Sequence, residues 1–252
     1  MLVAPKTIEH EILNEIVSKL PSAGRYLTSD SLWLRQMQVK ISRLMRADAI
    51  AAYRASALVA FLKGDRSELE EHLNRAERLS PDISTNQLIR MQHYSNFCLA
   101  TESQALFKQC VGVKFLNLQT FLLQSGLTIA AFQEFATKFA EAQNAGVEVH
   151  QDIIFKTMKT AAELLRENQV SDEDCARVID CAGEVLRRRG MHWVDESPKL
   201  EVYEKHANVA LRYRVDATYT EAADMTAELV MDLIDKDLDD LPFYVTFEGS
   251  YR

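Results

Sequence analysis

The side chains best suited to chemistry in this 252-residue chain are its histidines and cysteines, the usual metal ligands, nucleophiles and general bases. The histidines are His10, His72, His93, His150, His192 and His206. The cysteines are Cys98, Cys110, Cys175 and Cys181. No two histidines have the spacing of a ligand pair on one helix face, and no CxxC pair exists. We therefore predict buried, free thiols, and we expect no metal site and no cofactor.

Motifs of catalysis and of nucleotide binding are missing from the sequence. It contains neither G-x-G-x-x-G nor G-x-x-x-x-G-K-[ST], and "HE" at residues 10–11 lacks the second histidine of H-E-x-x-H. A Cys–His pair or a Ser–His–Asp triad could still assemble from residues distant in sequence. The prediction therefore leans toward a non-enzymatic protein with no catalytic residue, and an enzyme without a readable motif stays an alternative.

The acidic residues are concentrated in one segment. Between Val215 and Pro242 nine acids face one base, an excess equal to the net charge of −8 of the whole chain. At 100° per residue, six of these acids fall within about 80° of a helix surface. They are Glu221, Asp224, Glu228, Asp232, Asp235 and Asp239. Three interpretations stay open: a solvated face, a docking face for a basic protein, or an imitation of duplex phosphates.

The remaining surface of this acidic helix is apolar. A Thr-x-x-Glu capping box at Thr218 and Glu221 predicts its start, and we expect it to run to about Leu238. Opposite the acids lie Ala223, Ala227, Val230, Ile234 and Leu238, and Met225, Leu229 and Leu233 widen the apolar side. We expect this side to cover a small sheet, and the acids to face water or a basic partner.

A second charged surface is basic and lies on the helix predicted for residues 31–47. It carries Arg35, Lys40, Arg43 and Arg46, with no acid between Ser31 and Ala47. The four bases span an arc of about 140°. This arc lies away from the apolar residues of the same helix, Leu34, Met37, Ile41 and Leu44. This face is a candidate for docking nucleic acid or an acidic protein, and a solvated helix face is the alternative.

The elements that carry these surfaces follow from periodicity. Apolar residues at helical spacing, interrupted by Gly or Pro, predict an all-helical region over residues 1–190. Whether the basic helix continues to Leu62 or is interrupted at Asp48 stays open. Alternating residues then predict strands on both sides of the acidic helix, a small α+β (β-β-α-β) domain over residues 198–252.

One face of the predicted sheet carries arginine and aromatic side chains. Its members are Tyr203, Arg212, Arg214 and Tyr244. Such a face has the composition of an RNA-stacking platform, although the glycine-aromatic strand motif of those platforms is absent. The alternative is that it packs on the helical region or on a second subunit.

Residues 50–83 resemble one tetratricopeptide repeat, a 34-residue helical hairpin. The resemblance is carried by Tyr53, Ala57, Ala60, Gly64-Asp65, Ala76 and Pro81. It departs from the family pattern at Ser56 and Leu69, and no second repeat follows in frame. The resemblance implies a mainly α fold for residues 1–190, a helical-repeat-like right-handed array of antiparallel helices that binds other proteins.

Taken together, these patterns predict a non-enzymatic protein-protein interaction, adaptor or regulatory module whose partner is a macromolecule, and they favour another protein as that partner. A nucleic-acid-binding regulator that uses the basic helix or the Arg/Tyr sheet face is the alternative. The absence of a long apolar segment and of a signal-like start predicts a cytoplasmic protein with no membrane partner.

Overall fold

The chain folds mainly into helices, with a small mixed sheet near its C-terminus. The computed structural model describes residues 5–19, 24–28, 30–80, 83–109, 118–144, 146, 152–193 and 197–250. The helices are α1 (Pro5–Val17), α2 (Leu32–Ala47), α3 (Ala49–Leu62), α4 (Arg66–Leu79), α5 (Ile83–Asn96), α6 (Ala100–Gln109), α7 (Leu118–Thr128), α8 (Phe132–Asn144), α9 (Ile153–Glu167), α10 (Asp172–Arg188) and α11 (Tyr219–Asp235). The strands are β1 (Lys199–Tyr203), β2 (Asn208–Val215) and β3 (Phe243–Gly249). The predicted mainly α fold with a small β-β-α-β unit is confirmed.

Asp48 separates the basic helix from the next one. Its backbone N–H donates to the Leu44 carbonyl oxygen and ends α2, while its side chain accepts a hydrogen bond from the Ala51 N–H (2.9 Å) and starts α3. Its extended backbone (φ −150°, ψ 100°) is not helical. The question left open by the pattern is therefore settled in favour of two helices.

Helices α3 and α4 form the hairpin predicted for residues 50–83, although Pro81 lies outside the described residues. Gly64 occupies the left-handed region (φ +70°) at the turn, and the Asp65 carboxylate accepts from the Glu68 N–H (2.9 Å). The helical spacing of Leu69, Leu73, Ala76 and Leu79 predicts that all four are buried, and the first three are. The prediction for Leu79 is wrong, because its side chain is 53% exposed at the last turn of α4. Periodicity predicts the side of a helix that is buried, but not how far along the helix the contact extends.

Helix α10 connects the other elements through its carboxylates. Its own start is a capping box, which the Ser-x-x-Asp spacing of Ser171 and Asp174 predicts. Asp172 is buried and accepts hydrogen bonds from the backbone N–H groups of Gln133 (3.0 Å) and Glu134 (2.9 Å), which begin α8. Burial raises the pKa of this carboxyl to about 6, against the lowering effect of those two bonds.

A second carboxylate of α10 caps another helix. Asp180 accepts from the Ala100 N–H (2.5 Å), the Thr101 N–H (3.3 Å) and the Thr101 hydroxyl (2.5 Å) at the start of α6. Burial raises the pKa of Asp180, and these hydrogen bonds oppose the increase. The start of α6 is thus fixed by a residue 80 positions later in the chain.

Replacing Asp180 with alanine is expected to lower the free energy of unfolding by about 1–2 kcal/mol, because it removes a cap and leaves backbone N–H groups without an acceptor. Urea denaturation followed by circular dichroism measures the change. The matched control is Glu184→Ala on the same helix, whose carboxylate makes only an exposed pair with Lys236 and which should cost under about 0.5 kcal/mol. Equal losses for the two variants would contradict the cap.

The sheet has the order β1-β2-β3, with β1 antiparallel and β3 parallel to the central β2. The register pairs Leu200 with Leu211 and Val209 with Phe243. Alternation is confirmed, since one face of β2 and β3 is buried throughout. The buried residues are Val209, Leu211, Tyr213, Val215, Phe243, Val245 and Phe247.

The hydrophobic core does not divide at the predicted boundary between residues 190 and 198. One cluster of buried side chains extends from α5–α10 into β2, α11 and β3, and a second one belongs to α1–α4 with Phe97 and Leu99. Tyr213 shows the continuity, since its hydroxyl donates to the Thr128 carbonyl oxygen (2.8 Å) and its ring contacts Trp193. The sheet therefore completes the core of the later helices.

Candidate interaction surfaces

Helix α11 buries a different side from the one expected. It packs on β3 and on α10, and the Thr226 hydroxyl accepts from the Phe247 N–H (3.1 Å) at the sheet edge. Its buried residues are Ala222, Met225, Leu229 and Leu233. Ala223, Ala227, Val230 and Ile234, predicted to cover the sheet, are instead exposed. The helix also ends at Asp235 rather than near Leu238, although Leu238 is buried.

The acidic side of α11 faces arginines of the same chain. Glu228 contacts Arg188 (2.7 Å) and Arg189 (2.9 Å), and Asp232 contacts Arg188 (2.5 Å). Glu221 pairs with Arg25 (3.0 Å). Three of the predicted partner-binding acids are thus engaged within the molecule, and the prediction that the acidic side faces water or a basic partner is wrong for them.

Proton affinities agree with these pairs. Desolvation alone would raise the pKa of Glu228, but the hydrogen bonds from Arg189 and Arg188 bring it below its ordinary value. The pKa of Arg188 is raised, chiefly by its hydrogen bond to Asp232. These ion pairs hold α11 against the C-terminal end of α10, because Arg188 and Arg189 of the sequence RRR (residues 187–189) lie at that end.

Two acids of α11, Asp224 and Asp235, keep exposed side chains and form no ion pair with another described residue. They border a row of exposed apolar side chains, which we call the apolar stripe. It consists of Ala223, Ala227, Val230, Met231 and Ile234. Met231 is 59% exposed, and Val230 and Ile234 are each 45% exposed. Helix α11 therefore presents an uncovered apolar surface with carboxylates on one side.

The predicted basic face of α2 is exposed as expected. Arg35, Arg43 and Arg46 are exposed and form no ion pair with another described residue, whereas Lys40 contacts Glu15. On the same side of α2 as the three arginines lie two exposed apolar side chains, Leu32 (68%) and Val39 (53%). The opposite side of α2 is buried through Leu34, Met37, Ile41 and Leu44.

The arginine-bearing face of the sheet points away from the helices. Helices α9, α10 and α11 all lie against the buried face, so the suggestion that the other face packs on the helical region is wrong. Tyr203, Tyr244 and Arg214 are exposed there. Arg212 contacts Glu201 (2.9 Å) and Glu248 (3.8 Å), which compensate its charge. This compensation weakens the face as a site for phosphates.

The described residues contain an open cavity but no cluster of metal ligands. No group of three or more potential metal ligands lies together there. An open cavity of about 350 Å³ lies beyond the carboxyl ends of β2 and β3, lined by Arg25, Asp216, Thr218, Tyr219, Glu221 and Ser250. Its arginine is already paired with Glu221. No helix in the described part of the chain is long and apolar enough to cross a bilayer.

Two histidines are buried in an aromatic cluster between the two cores. The His192 ring lies 4.2 Å from Phe61 and 4.6 Å from Tyr26, and His93 lies 6.3 Å from Phe61, measured between ring centroids. Burial lowers the pKa of each histidine to about 4. The Nδ1 atom of His93 and the Nε2 atom of His192 have no hydrogen-bond partner among the described residues.

The cysteines that the structure describes lie in the core as free thiols. Cys98, Cys175 and Cys181 are buried and free, and burial raises the pKa of Cys98 to about 12. Cys110 lies outside the described residues. A thiol with so high a pKa is protonated at neutral pH and is a poor nucleophile.

The apolar stripe is the surface that periodicity alone overlooked. Helix α11 is apolar over about 240° of its circumference at 100° per residue. A helix that packs on a core from one side needs an apolar arc of only a little over 100°. The apolar arc of α11 is therefore wider than one contact requires. This width can be read from the sequence, and it indicates a second apolar contact.

Comparisons with known proteins assign no function to these surfaces. No protein-family model, no curated protein and no solved structure matches this chain.

Proposed function

We propose that the protein is a non-enzymatic interaction module that docks a helix of a partner protein on α11. The observation that carries the proposal is the apolar stripe with Asp224 and Asp235 beside it. Apolar patches that are exposed on one helix and bordered by charge are typical of protein interaction sites. The partner that fits is an amphipathic helix with an apolar face and basic flanks.

The side chains of the stripe suit a helix-helix contact. Ala223 and Ala227 let a partner backbone approach, and Val230 and Ile234, four residues apart, supply the larger apolar contacts. Asp224 and Asp235 would then select a basic partner and repel an acidic one. The ion pairs to Arg188 and Arg189 support this arrangement, because they hold α11 in place without using the stripe.

Two further observations are consistent with an adaptor. The α3–α4 hairpin contains the residues that resemble a tetratricopeptide unit, and that resemblance implies a protein-binding scaffold. The free, buried thiols suit the reducing conditions of the cytoplasm, where we place the protein as part of this proposal.

The charge preference can be measured with two synthetic helical peptides that share one Leu/Ala stripe and differ only in Lys or Glu flanks. At about 50 mM salt the Lys peptide is expected to bind the full chain about tenfold more tightly than the Glu peptide. The double variant Asp224→Lys/Asp235→Lys should reverse this preference. Fluorescence anisotropy titration gives both affinities, and equal binding of the two peptides would contradict the proposal.

The apolar contribution is tested by Ile234→Asp, which should weaken binding of the Lys peptide because it places a charge in the contact. The matched control is Ile153→Asp on α9, where the isoleucine is also exposed (80%) but lies outside the stripe. Equal binding by these two variants would exclude the stripe as the docking surface.

A further inference from the structure

We infer that the helix docked on α11 is α2 of a second copy of the same chain, so that the protein assembles head to tail. This inference rests on the proposed function of the apolar stripe and names its partner. Helix α2 has the features required of that partner, because its outer face carries the exposed apolar residues Leu32 and Val39 together with arginines. The two faces are complementary in charge and similar in apolar character.

The spacing of the charges matches on the two helices. Arg35 and Arg46 are eleven residues apart on α2, and Asp224 and Asp235 are eleven residues apart on α11. Eleven residues correspond to about 16.5 Å along a helix axis and return to nearly the same side of the helix. Both arginines can therefore meet both aspartates in one register.

The apolar residues lie between the charges on both helices. Val39 lies between Arg35 and Arg46 in sequence, as Ala227 and Val230 lie between Asp224 and Asp235. A contact that pairs both sets of charges thus brings Val39 against the middle of the apolar stripe. All of these side chains are exposed in the single chain.

Pairing of like helices is disfavoured. Two copies of α11 facing each other would bring Asp224 and Asp235 against carboxylates, and two copies of α2 would bring arginines together. The contact therefore joins different faces of two identical chains, and in the head-to-tail assembly it is heterologous because each pair of neighbours forms it once. Such contacts leave one free α2 face and one free α11 face at the ends, and they continue into longer chains or close into rings.

Both faces are available on one molecule at the same time. Helix α2 packs on α1 and α3, in the core cluster of the first helices, whereas α11 packs on α10 and β3 in the other cluster. A single pair of helices buries less surface than the roughly 1,200 Å² of a stable complex, so the association is weak and concentration-dependent.

Sedimentation velocity of the full chain over about 10 µM to 1 mM, in low salt, tests the inference. The wild type should shift continuously toward species larger than a dimer. Two charge-reversed variants, Arg35→Glu/Arg46→Glu and Asp224→Arg/Asp235→Arg, should each weaken association about tenfold or more. The matched control for the arginine variant is Lys156→Glu/Lys159→Glu, two exposed bases of α9 whose replacement gives the same change in net charge as Arg35→Glu/Arg46→Glu, and it should assemble like the wild type.

Mixing provides the decisive result. Each reversed variant alone brings like charges together, but in the mixture both contacts join opposite charges again. Equimolar mixing is therefore expected to restore assembly, as is the variant that carries all four reversals. Recovery in both cases cannot come from misfolding of either variant.

Several outcomes would overturn the inference. A wild type that stays monomeric up to 1 mM does so, and if it still prefers the Lys peptide, the proposed function survives with another partner. A wild type whose association stops at the dimer would also overturn the inference. So would a mixture of the two charge-reversed variants that does not regain assembly. So does a monomeric wild type that binds a 20-base-pair DNA duplex in low salt and loses this binding with Arg35→Glu/Arg46→Glu, because α2 is then a nucleic-acid face.

Discussion

Replacing Gly183 with alanine is expected to lower the free energy of unfolding by about 3 kcal/mol, although glycine-to-alanine changes inside helices usually stabilise by up to about 1 kcal/mol. A Cβ at Gly183 would lie 2.4 Å from the Cys98 carbonyl oxygen and 2.8 Å from the Cys98 Cβ. Both are overlaps with a buried turn rather than with the end of a flexible side chain. The sign of the effect is therefore the opposite of the helix-propensity expectation.

The turn cannot move away from α10, because α10 itself holds it. Cys98 has a φ of +50°, the Arg187 side chain donates to the Phe97 carbonyl oxygen (2.7 Å), and Asp180 caps the helix that follows. Asp180, Gly183 and Arg187 lie on one side of α10, at positions three and four residues apart. Relief of the overlap would have to break these hydrogen bonds.

A matched control is available within another helix. At Gly126 in α7 a Cβ would meet only side-chain atoms, at 3.4 Å from Phe107 and 3.5 Å from Met158. Gly126→Ala should therefore leave stability unchanged or raise it by up to about 1 kcal/mol. Urea denaturation at neutral pH compares the two variants, and a Gly183→Ala protein as stable as the wild type would show that the close approach is not required.

Acidification is expected to destabilise the fold through His93 and His192. Each has a pKa of about 4 in the folded chain against an ordinary value of 6.5, because burial penalises the charged ring. The unfolded chain therefore binds more protons between these values, and the free energy of unfolding falls as the pH drops from 6.5 to 4. The loss is about 3 kcal/mol for each histidine.

Neighbouring groups modify but do not cancel this effect. The positive charge of Arg90 adds to the lowering at His93, whereas hydrogen bonds to the carbonyls of Leu62 and Phe61 oppose it at His192. Asp172 acts in the other direction. Its folded pKa of about 6 lies above the ordinary 3.8, so its ionised form costs stability at neutral pH and its protonation recovers about 3 kcal/mol on acidification.

The contribution of one histidine is measured by comparing the free energy of unfolding of a variant with that of the wild type. His192→Leu removes the titrating ring, so the stability of the variant relative to the wild type should improve by about 3 kcal/mol between pH 7 and pH 4. This change does not depend on any constant loss that the substitution causes. A stability difference between His192→Leu and the wild type that stays the same from pH 7 to pH 4 would exclude the mechanism.

Much of the fold could be predicted, because it is written in local patterns. The Asp-x-x-Glu, Ser-x-x-Asp and Thr-x-x-Glu spacings that begin at Asp65, Ser171 and Thr218 mark the starts of helices, and the alternation along β2 and β3 matches the buried face of the sheet. The exposure of Arg35, Arg43 and Arg46 also follows from the sequence, because the apolar residues of α2 lie on the opposite side of that helix. Each of these features depends on residues within a few positions of one another.

What the sequence determined by itself is therefore the type and order of the elements, several of their starts, and the relative positions of side chains on each. Only the tertiary structure decided which arc of α11 is covered, that Arg188 neutralises Glu228 and Asp232, and that Gly183 and His192 lie where they do. Periodicity fixes angles around one helix axis, but burial depends on elements that are distant in the chain. For α11, apolar over most of its circumference, the contact with α10 and β3 left the apolar stripe exposed and placed the acids against arginines.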